Sequence, residues 1–188
     1  MEKIVLASAS PRRKELFELA GLSFDIVPSQ VEEVITREKP WEVVMELASQ
    51  KAWDVWKQTG GKQIIVGADT VVAYDGKILG KPEDKEDAAR MLSMLSGNTH
   101  QVYTGVSVIY KEKEWNFYEE TKVQFYPLNQ NEIQTYIQTG EPMDKAGAYG
   151  IQGKAAPFIK SIEGDYYNVV GFPIGRFLQE MKKVMGCR

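Results

Sequence analysis

The chain has 188 residues, of which 43% are hydrophobic and 26% charged, and a formal net charge of −3; that suffices for one sizeable core and is marginal for two independent ones. A pI of about 5.4 gives no global basic field to draw nucleic acid, so a bound anion must meet a local cluster of positive groups. One cysteine, Cys187, excludes an intrachain disulfide, and one histidine, His100, excludes a multi-histidine metal site. No apolar run approaches the roughly 18 residues of a membrane-spanning helix, and the start, Met-Glu-Lys-Ile-Val-Leu-Ala, shows no cleavable leader, so the expected compartment is the cytoplasm, with no membrane partner.

Taken in chain order, Ile4 to Ala7 suits a short buried strand, and Ser10-Pro11 suits a helix start, with serine as cap and proline at the first helical position. Leu16, Phe17, Leu19 and Ala20 give that helix an apolar face, Gly21 ends it, and Phe24 to Val27 reads as a second strand. After an acidic stretch containing Glu32 and Glu33, a helix is expected from about Trp41 to Lys57, with Val44, Leu47, Ala48, Ala52 and Val55 as its stripe and Gly60-Gly61 as its stop. Ile64 to Gly67 reads as a buried strand leading into Ala68-Asp69-Thr70-Val71-Val72, and Asp75-Gly76 is a hairpin turn signal. A helix containing Ala88, Met91, Leu92 and Leu95 follows Lys81-Pro82 and closes at Ser96-Gly97-Asn98. Val102 to Tyr110 and Trp115 to Phe125 alternate as two antiparallel strands, and Asn131 to Gln138 is a short helix. A glycine-rich stretch from Gly140 to Gly153 precedes a strand over Phe158 to Ile162. Pro173 starts a last helix with Ile174, Phe177, Leu178, Met181 and Met185 on one face. Interleaved helices and strands predict an α/β fold with a mixed sheet, one domain over residues 1–188 with two lobes and a cleft.

Five segments carry candidate chemistry. At Ser8 to Arg13, a helix start offers free N–H groups, serine hydroxyls and the forks of Arg12 and Arg13, a set suited to phosphate; a capped surface helix with two solvated arginines is the plain alternative. Asp69-Thr70 follows a buried strand, where a carboxylate can hold Mg²⁺ or take a proton from water. Glu32-Glu33 can supply a second carboxylate or be a solvated loop. Lys51 lies on the apolar stripe of its helix and either snorkels or points into a cleft, and Lys81 stands extended before Pro82. In Lys145 to Gly153, small residues allow close approach to a ligand, and the Gln152 amide complements a uracil or thymine edge. His100 reads as structural or exposed, and Cys187 lies too near the chain end to be a convincing nucleophile.

Together, Ser8 to Arg13, Glu33, Leu47-Ala48 with Lys51-Ala52, Gly67 to Val72, Lys81-Pro82, Leu95-Ser96-Gly97 and Asp144 to Gly153 resemble, in order and over nearly the whole chain, the Maf family of nucleotide pyrophosphatases. The resemblance implies a fold similar to inosine triphosphate pyrophosphatases: an elongated mixed β-sheet flanked by helices, two lobes and a central cleft. It implies hydrolysis of a nucleoside triphosphate between the α- and β-phosphates. Asp69 matches the catalytic proton acceptor, Glu33 a carboxylate of the metal and catalytic site, and Ser8, Arg13, Lys51 and Lys81 the phosphate-handling positions, with Lys81 among the catalytic set. Arg12, Thr70 and Gln152 match the positions of the branch acting on dTTP and UTP. The expected cofactor is Mg²⁺ or Mn²⁺ on Asp69 and Glu33, and a homodimer is compatible with the resemblance. The family's historical name, septum formation inhibitor, motivates a second reading: a nucleotide-binding regulator of cell division with little catalysis. A sugar-nucleotide transferase is a third, which leaves Asp69-Thr70 and Gly150 to Gly153 without a task.

Overall fold

The computed structural model describes residues 3–186; Cys187 lies outside the described residues. The chain divides into two compact units. One comprises the residues up to Thr70, Thr104–Glu119 and those from Gly171 onward; the other comprises Val71–Tyr103 and Glu120–Val170.

In the first unit, β1 (Ile4–Leu6) pairs in parallel with β2 (Phe24–Ile26) on one edge and with β3 (Ile64–Tyr74) on the other. A strand with a neighbour on each edge and both faces covered reads as an unbroken apolar run, and Ile4, Val5 and Leu6 are all buried. Helix α1 (Pro11–Leu19) starts as expected, with the Ser10 side chain accepting from the Arg13 N–H and Pro11 in the first turn. Its buried face is only Leu16 and Phe17. Phe17 packs among Phe24, Phe172 and Phe177 at centroid distances of 5.1, 5.0 and 5.5 Å, and that ring cluster fills the ground beneath the helix. Leu19, expected on the same face, ends the helix beyond the cluster and is 67% exposed.

Helix α2 (Pro40–Thr59) buries Val43, Val44, Leu47, Ala48, Ala52 and Val55 and stops at left-handed Gly60. Its backbone rests directly on two glycines. A Cβ added to Gly67 would lie 2.3 Å from the Ala48 carbonyl oxygen, and one added to Gly105 would lie 2.3 Å from the Val44 carbonyl carbon. Gly67 belongs to β3 and Gly105 to β5 (Thr99–Tyr110). Strand β6 (Lys113–Phe125) follows β5 after a two-residue turn with Lys111 and Glu112 at positive φ.

In the second unit, β3 turns at Asp75 and Gly76, both at positive φ, into antiparallel β4 (Lys77–Leu79). Helix α3 (Lys85–Leu95) is capped by Asp84 and buries Ala88, Met91, Leu92 and Leu95. Helix α4 (Gln130–Gln138) opens with a reciprocal Asn129–Glu132 capping box. Strand β7 (Ile159–Glu163) pairs antiparallel with β6. The short α5 (Tyr166–Val170) was not anticipated; its buried Asn168 donates to the Val102 carbonyl at 3.1 Å and bonds the Thr121 hydroxyl at 3.0 Å. His100 is fully buried with Nε2 2.7 Å from the Tyr149 hydroxyl, and burial pushes its pKa down to about 3, so it is a neutral core residue. Back in the first unit, α6 (Ile174–Val184) buries Ile174 and Phe177, while Met185 lies past its end and is exposed.

The strands form one mixed sheet in the order β2-β1-β3-β5-β6-β7, with β4 on β3, and helices flank it. One expectation changes: the strand expected to end at Gly67 runs on to Tyr74, because β-branched Thr70, Val71 and Val72 continue it. Asp69 and Thr70 therefore lie within a strand rather than in a loop after it. No described helix is long and apolar enough to cross a membrane.

Candidate active site

The first unit builds a charged cluster from four segments. Gly67 and Asp69 are two residues apart on β3, so both point to the α2 side. Because Gly67 admits the helix backbone so closely, Lys51, between Ala48 and Ala52 in sequence, is carried to the strand. Its Nζ lies 2.6 Å from Asp69 Oδ1, and the two side chains are 17% and 14% exposed. Lys51 thus points inward rather than snorkelling to water. The same Nζ lies 3.0 Å from Glu33 Oε1, so both expected carboxylates converge on a single ammonium.

Glu33 stands in a segment without regular secondary structure that is fastened along α2. The Ser29 hydroxyl and the Gln30 N–H donate to Asp54 at 2.7 and 2.9 Å. The Val34 N–H donates to Gln50 Oε1 at 3.0 Å, and the Gln50 amide donates back to the Val34 carbonyl at 2.7 Å. Thr36 donates to Glu46 from its N–H at 2.9 Å and also from its hydroxyl. Residues 46, 50 and 54 lie four apart and so share one face of the helix. Helix α2 therefore contributes the bridging ammonium and also holds the backbone beside Glu33.

Arg13 is the other centre of the cluster. Its Nε donates to the Gly171 carbonyl at 2.9 Å, Nη1 to the Ala68 carbonyl at 3.1 Å and to Ser8 Oγ at 3.3 Å, and Nη2 to Thr70 Oγ1 at 3.0 Å. Burial lowers its pKa, with the Arg12 charge adding to that and Asp69 and Glu33 opposing it. The expected phosphate fork is thus largely engaged by the protein and ties α1, β3 and the segment before α6 together. Thr70 Oγ1 also lies 2.8 Å from Thr104 Oγ1 and 3.3 Å from the Gly171 carbonyl, so its hydroxyl is committed to this network. Ser8 Oγ accepts from the Ser10 N–H at 3.2 Å as well as from Arg13, and a hydroxyl with both lone pairs engaged can act further only as a donor. The first turn of α1 contains no acidic residue but carries Arg12, Arg13 and Lys14, so its positive end and its side chains favour an anion together.

The structure thus brings together Ser8, Arg13, Glu33, Lys51, Asp69 and Thr70. Arg12 is half-buried one residue before Arg13. Lys81 and Gln152 belong to the second unit, and both are exposed there. Among the described residues there is no group of three or more His, Cys, Asp or Glu that could hold a metal ion. Sequence reasoning missed Thr104, a fully buried hydroxyl on β5, and the Glu46, Gln50, Asp54 row, whose four-residue spacing was the available signal.

A family model described as Maf-like protein matches residues 3–184. A protein named dTTP/UTP pyrophosphatase from Bacillus cereus is 54% identical over 184 residues, 97% of this chain and 96% of its own. One of the same name from Bacillus cytotoxicus is 55% identical over 184 residues, again 97% and 96%. A protein of known crystal structure from Vibrio cholerae covers 73% of this chain and 70% of its own at 14% identity and a TM-score of 0.35, a likeness too slight to carry weight.

Proposed function

This chain belongs to the Maf family, and from that premise we propose that it is a nucleoside triphosphate pyrophosphatase converting dTTP and UTP to the monophosphate and pyrophosphate. One observation carries the reading. In a chain 54% identical over almost its whole length to a protein named for that activity, Asp69 and Glu33 meet one ammonium.

In this reading a water oxygen attacks the α-phosphorus, the bond from that phosphorus to the α,β-bridging oxygen breaks, and pyrophosphate leaves with the bonding electrons. Asp69 accepts the water's proton. Lys51, held between the two carboxylates, places positive charge where the phosphates gather negative charge. Ser8 donates its remaining O–H, and the start of α1 offers N–H groups and the charge of Arg12. Arg13 adds charge from a position fixed by its four hydrogen bonds. The role of Lys81, on the pyrophosphate, rests on the resemblance, and that of Gln152, on the pyrimidine, on the resemblance together with the match of its amide to a uracil or thymine edge.

Asp69 and Glu33 fit a hard divalent cation, Mg²⁺ or Mn²⁺. Both are oxygen donors, and the shared ammonium shows that one positive charge can be held by the two together. When bound, such an ion supplies charge neutralisation on the triphosphate.

The test is product analysis with UTP, dTTP, ATP, GTP and 7-methyl-GTP, each with and without Mg²⁺ or Mn²⁺. Monophosphate and pyrophosphate from UTP and dTTP support the reading. Tight binding without turnover would favour the division regulator, and a diphosphate plus inorganic phosphate would place the cut elsewhere.

A further inference from the structure

In the second unit, Gln152 sits on a β-turn. The Gly153 N–H donates to the Gly150 carbonyl at 3.1 Å, which makes Ile151 and Gln152 the central residues. Ile151 anchors the turn at 9% exposure, and Gln152 is exposed.

Both ends of the turn answer to one carboxylate. The Lys154 N–H donates to Glu141 Oε1 and Oε2, each at 3.0 Å. The Tyr136 hydroxyl donates to Glu141 Oε1 at 2.9 Å, and the same hydroxyl oxygen accepts the Gly150 N–H at 3.4 Å. Hydrogen bonds to an ionised acceptor are the strong ones, so the clamp is firm although it is small. Space is as closely set as polarity. A Cβ on Gly153 would lie 2.1 Å from Glu141 Oε1, and one on Gly150 would lie 2.7 Å from Lys145 Cε. The Lys145 ammonium in turn donates to the Glu141 carbonyl at 3.0 Å, so both ends of the turn are packed against the segment that carries Glu141.

We propose that Glu141 is a positioning residue for Gln152: by fixing the turn on either side of that side chain, it sets the selectivity for the pyrimidine base. The proposal rests on the reading of Gln152 as the group that meets the base. A primary amide presents one acceptor and two donors, and such a pattern discriminates only when it is held in place. Glu141 touches neither the base nor the phosphates in this account; it acts through the backbone of residues 150–154.

The experiment measures kcat and KM for UTP, dTTP and ATP in the wild type, Glu141→Ala, Glu141→Gln, Gln152→Ala and the Glu141→Ala/Gln152→Ala double variant. Glu141→Ala is expected to lower the ratio of kcat/KM for UTP over ATP by about tenfold or more, with the loss falling in KM more than in kcat. Glu141→Gln, which keeps an acceptor oxygen, recovers part of the ratio. Added to Gln152→Ala, the Glu141 substitution changes the ratio no further, because the two act as one unit. Equal losses in kcat for every nucleotide with the ratio intact, or losses that multiply in the double variant, would overturn the proposal. Should Glu141→Ala not fold, Tyr136→Phe, which removes the hydroxyl bonded to both Glu141 and Gly150 but leaves the Glu141–Lys154 bonds, is expected to move the ratio in the same direction by less. A wild type that turns over UTP while Gln152→Ala keeps the full ratio refutes the role of Gln152 and this proposal with it. A wild type inactive on both UTP and dTTP refutes the function itself.

Discussion

His100 makes stability depend on pH between about 7 and 5, above the ordinary values of 3.8 and 4.5 from which the carboxylates are lowered. The ring is fully buried between Phe125 and Tyr149, at centroid distances of 5.1 and 5.3 Å, and burial lowers its pKa from 6.5 to about 3. The native state keeps a neutral imidazole, while the unfolded chain takes up a proton below about pH 6.5. Its contribution is therefore complete above that pH and is lost progressively as pH falls toward 3. At about 1.4 kcal/mol per unit, moving from pH 7 to pH 5 costs about 2 kcal/mol of unfolding free energy. Carboxylates lowered by hydrogen bonds, such as Asp54 by Ser29 and Asp87 by Arg90, have ordinary values of 3.8 and lose their contribution mainly below about pH 5, outside this interval. The assay is urea unfolding of the wild type and His100→Gln at pH 7, 6 and 5. The variant is expected to be less stable at pH 7 but to lose about 2 kcal/mol less between pH 7 and 5. Parallel pH profiles for the two proteins would refute the reasoning, since they would mean the native imidazole titrates as it does in the unfolded chain.

Gly67→Ala forces a methyl group into the Ala48 carbonyl; overpacking of this kind costs about 1–3 kcal/mol, read by thermal melting, and the displaced α2 should also slow turnover by drawing Lys51 from Asp69. Gln50→Ala removes both hydrogen bonds to Val34, so amide exchange over residues 29–36 should quicken while exchange in the strands stays the same. Arg13→Lys replaces four hydrogen bonds with a single point charge; a loss of about 2 kcal/mol is expected, in melting and together with reduced turnover, and an unaltered melt would show that the guanidinium does not tie these segments.

The elements were legible where one periodicity governed the residues. The stripe Val44, Leu47, Ala48, Ala52 and Val55 is buried as read, and Ser10-Pro11 and Asp75-Gly76 do what their local chemistry dictates. Reading failed where a distant partner decides. Leu19 fits the helical period of α1 but finds no wall, because Phe172 and Phe177, far along the chain, complete the cluster around Phe17 instead. The five residues of α5, Tyr-Tyr-Asn-Val-Val, have poor helix propensity and are held by Asn168 bonding to Val102 and Thr121, which no window of sequence displays. At the candidate site, the chemical types of Asp69, Glu33 and Lys51 were readable, and their meeting was not: it follows from Gly67 admitting a helix backbone and from a row of side chains on α2 fastening a loop. Arg13 illustrates the same limit, since the carbonyl that receives its Nε, Gly171, lies 158 residues away.

The most direct test of the account is the rate of pyrophosphate release from dTTP and UTP, with Mg²⁺, by the wild type and by Asp69→Asn, each checked for folding by its melt. Replacing the proposed proton acceptor while leaving its shape is expected to cost on the order of a hundredfold or more in kcat, with the variant still folded. A folded Asp69→Asn protein that releases pyrophosphate at the wild-type rate would contradict the assignment of Asp69 and, with it, the reading of the Lys51-bridged carboxylates as the site of hydrolysis.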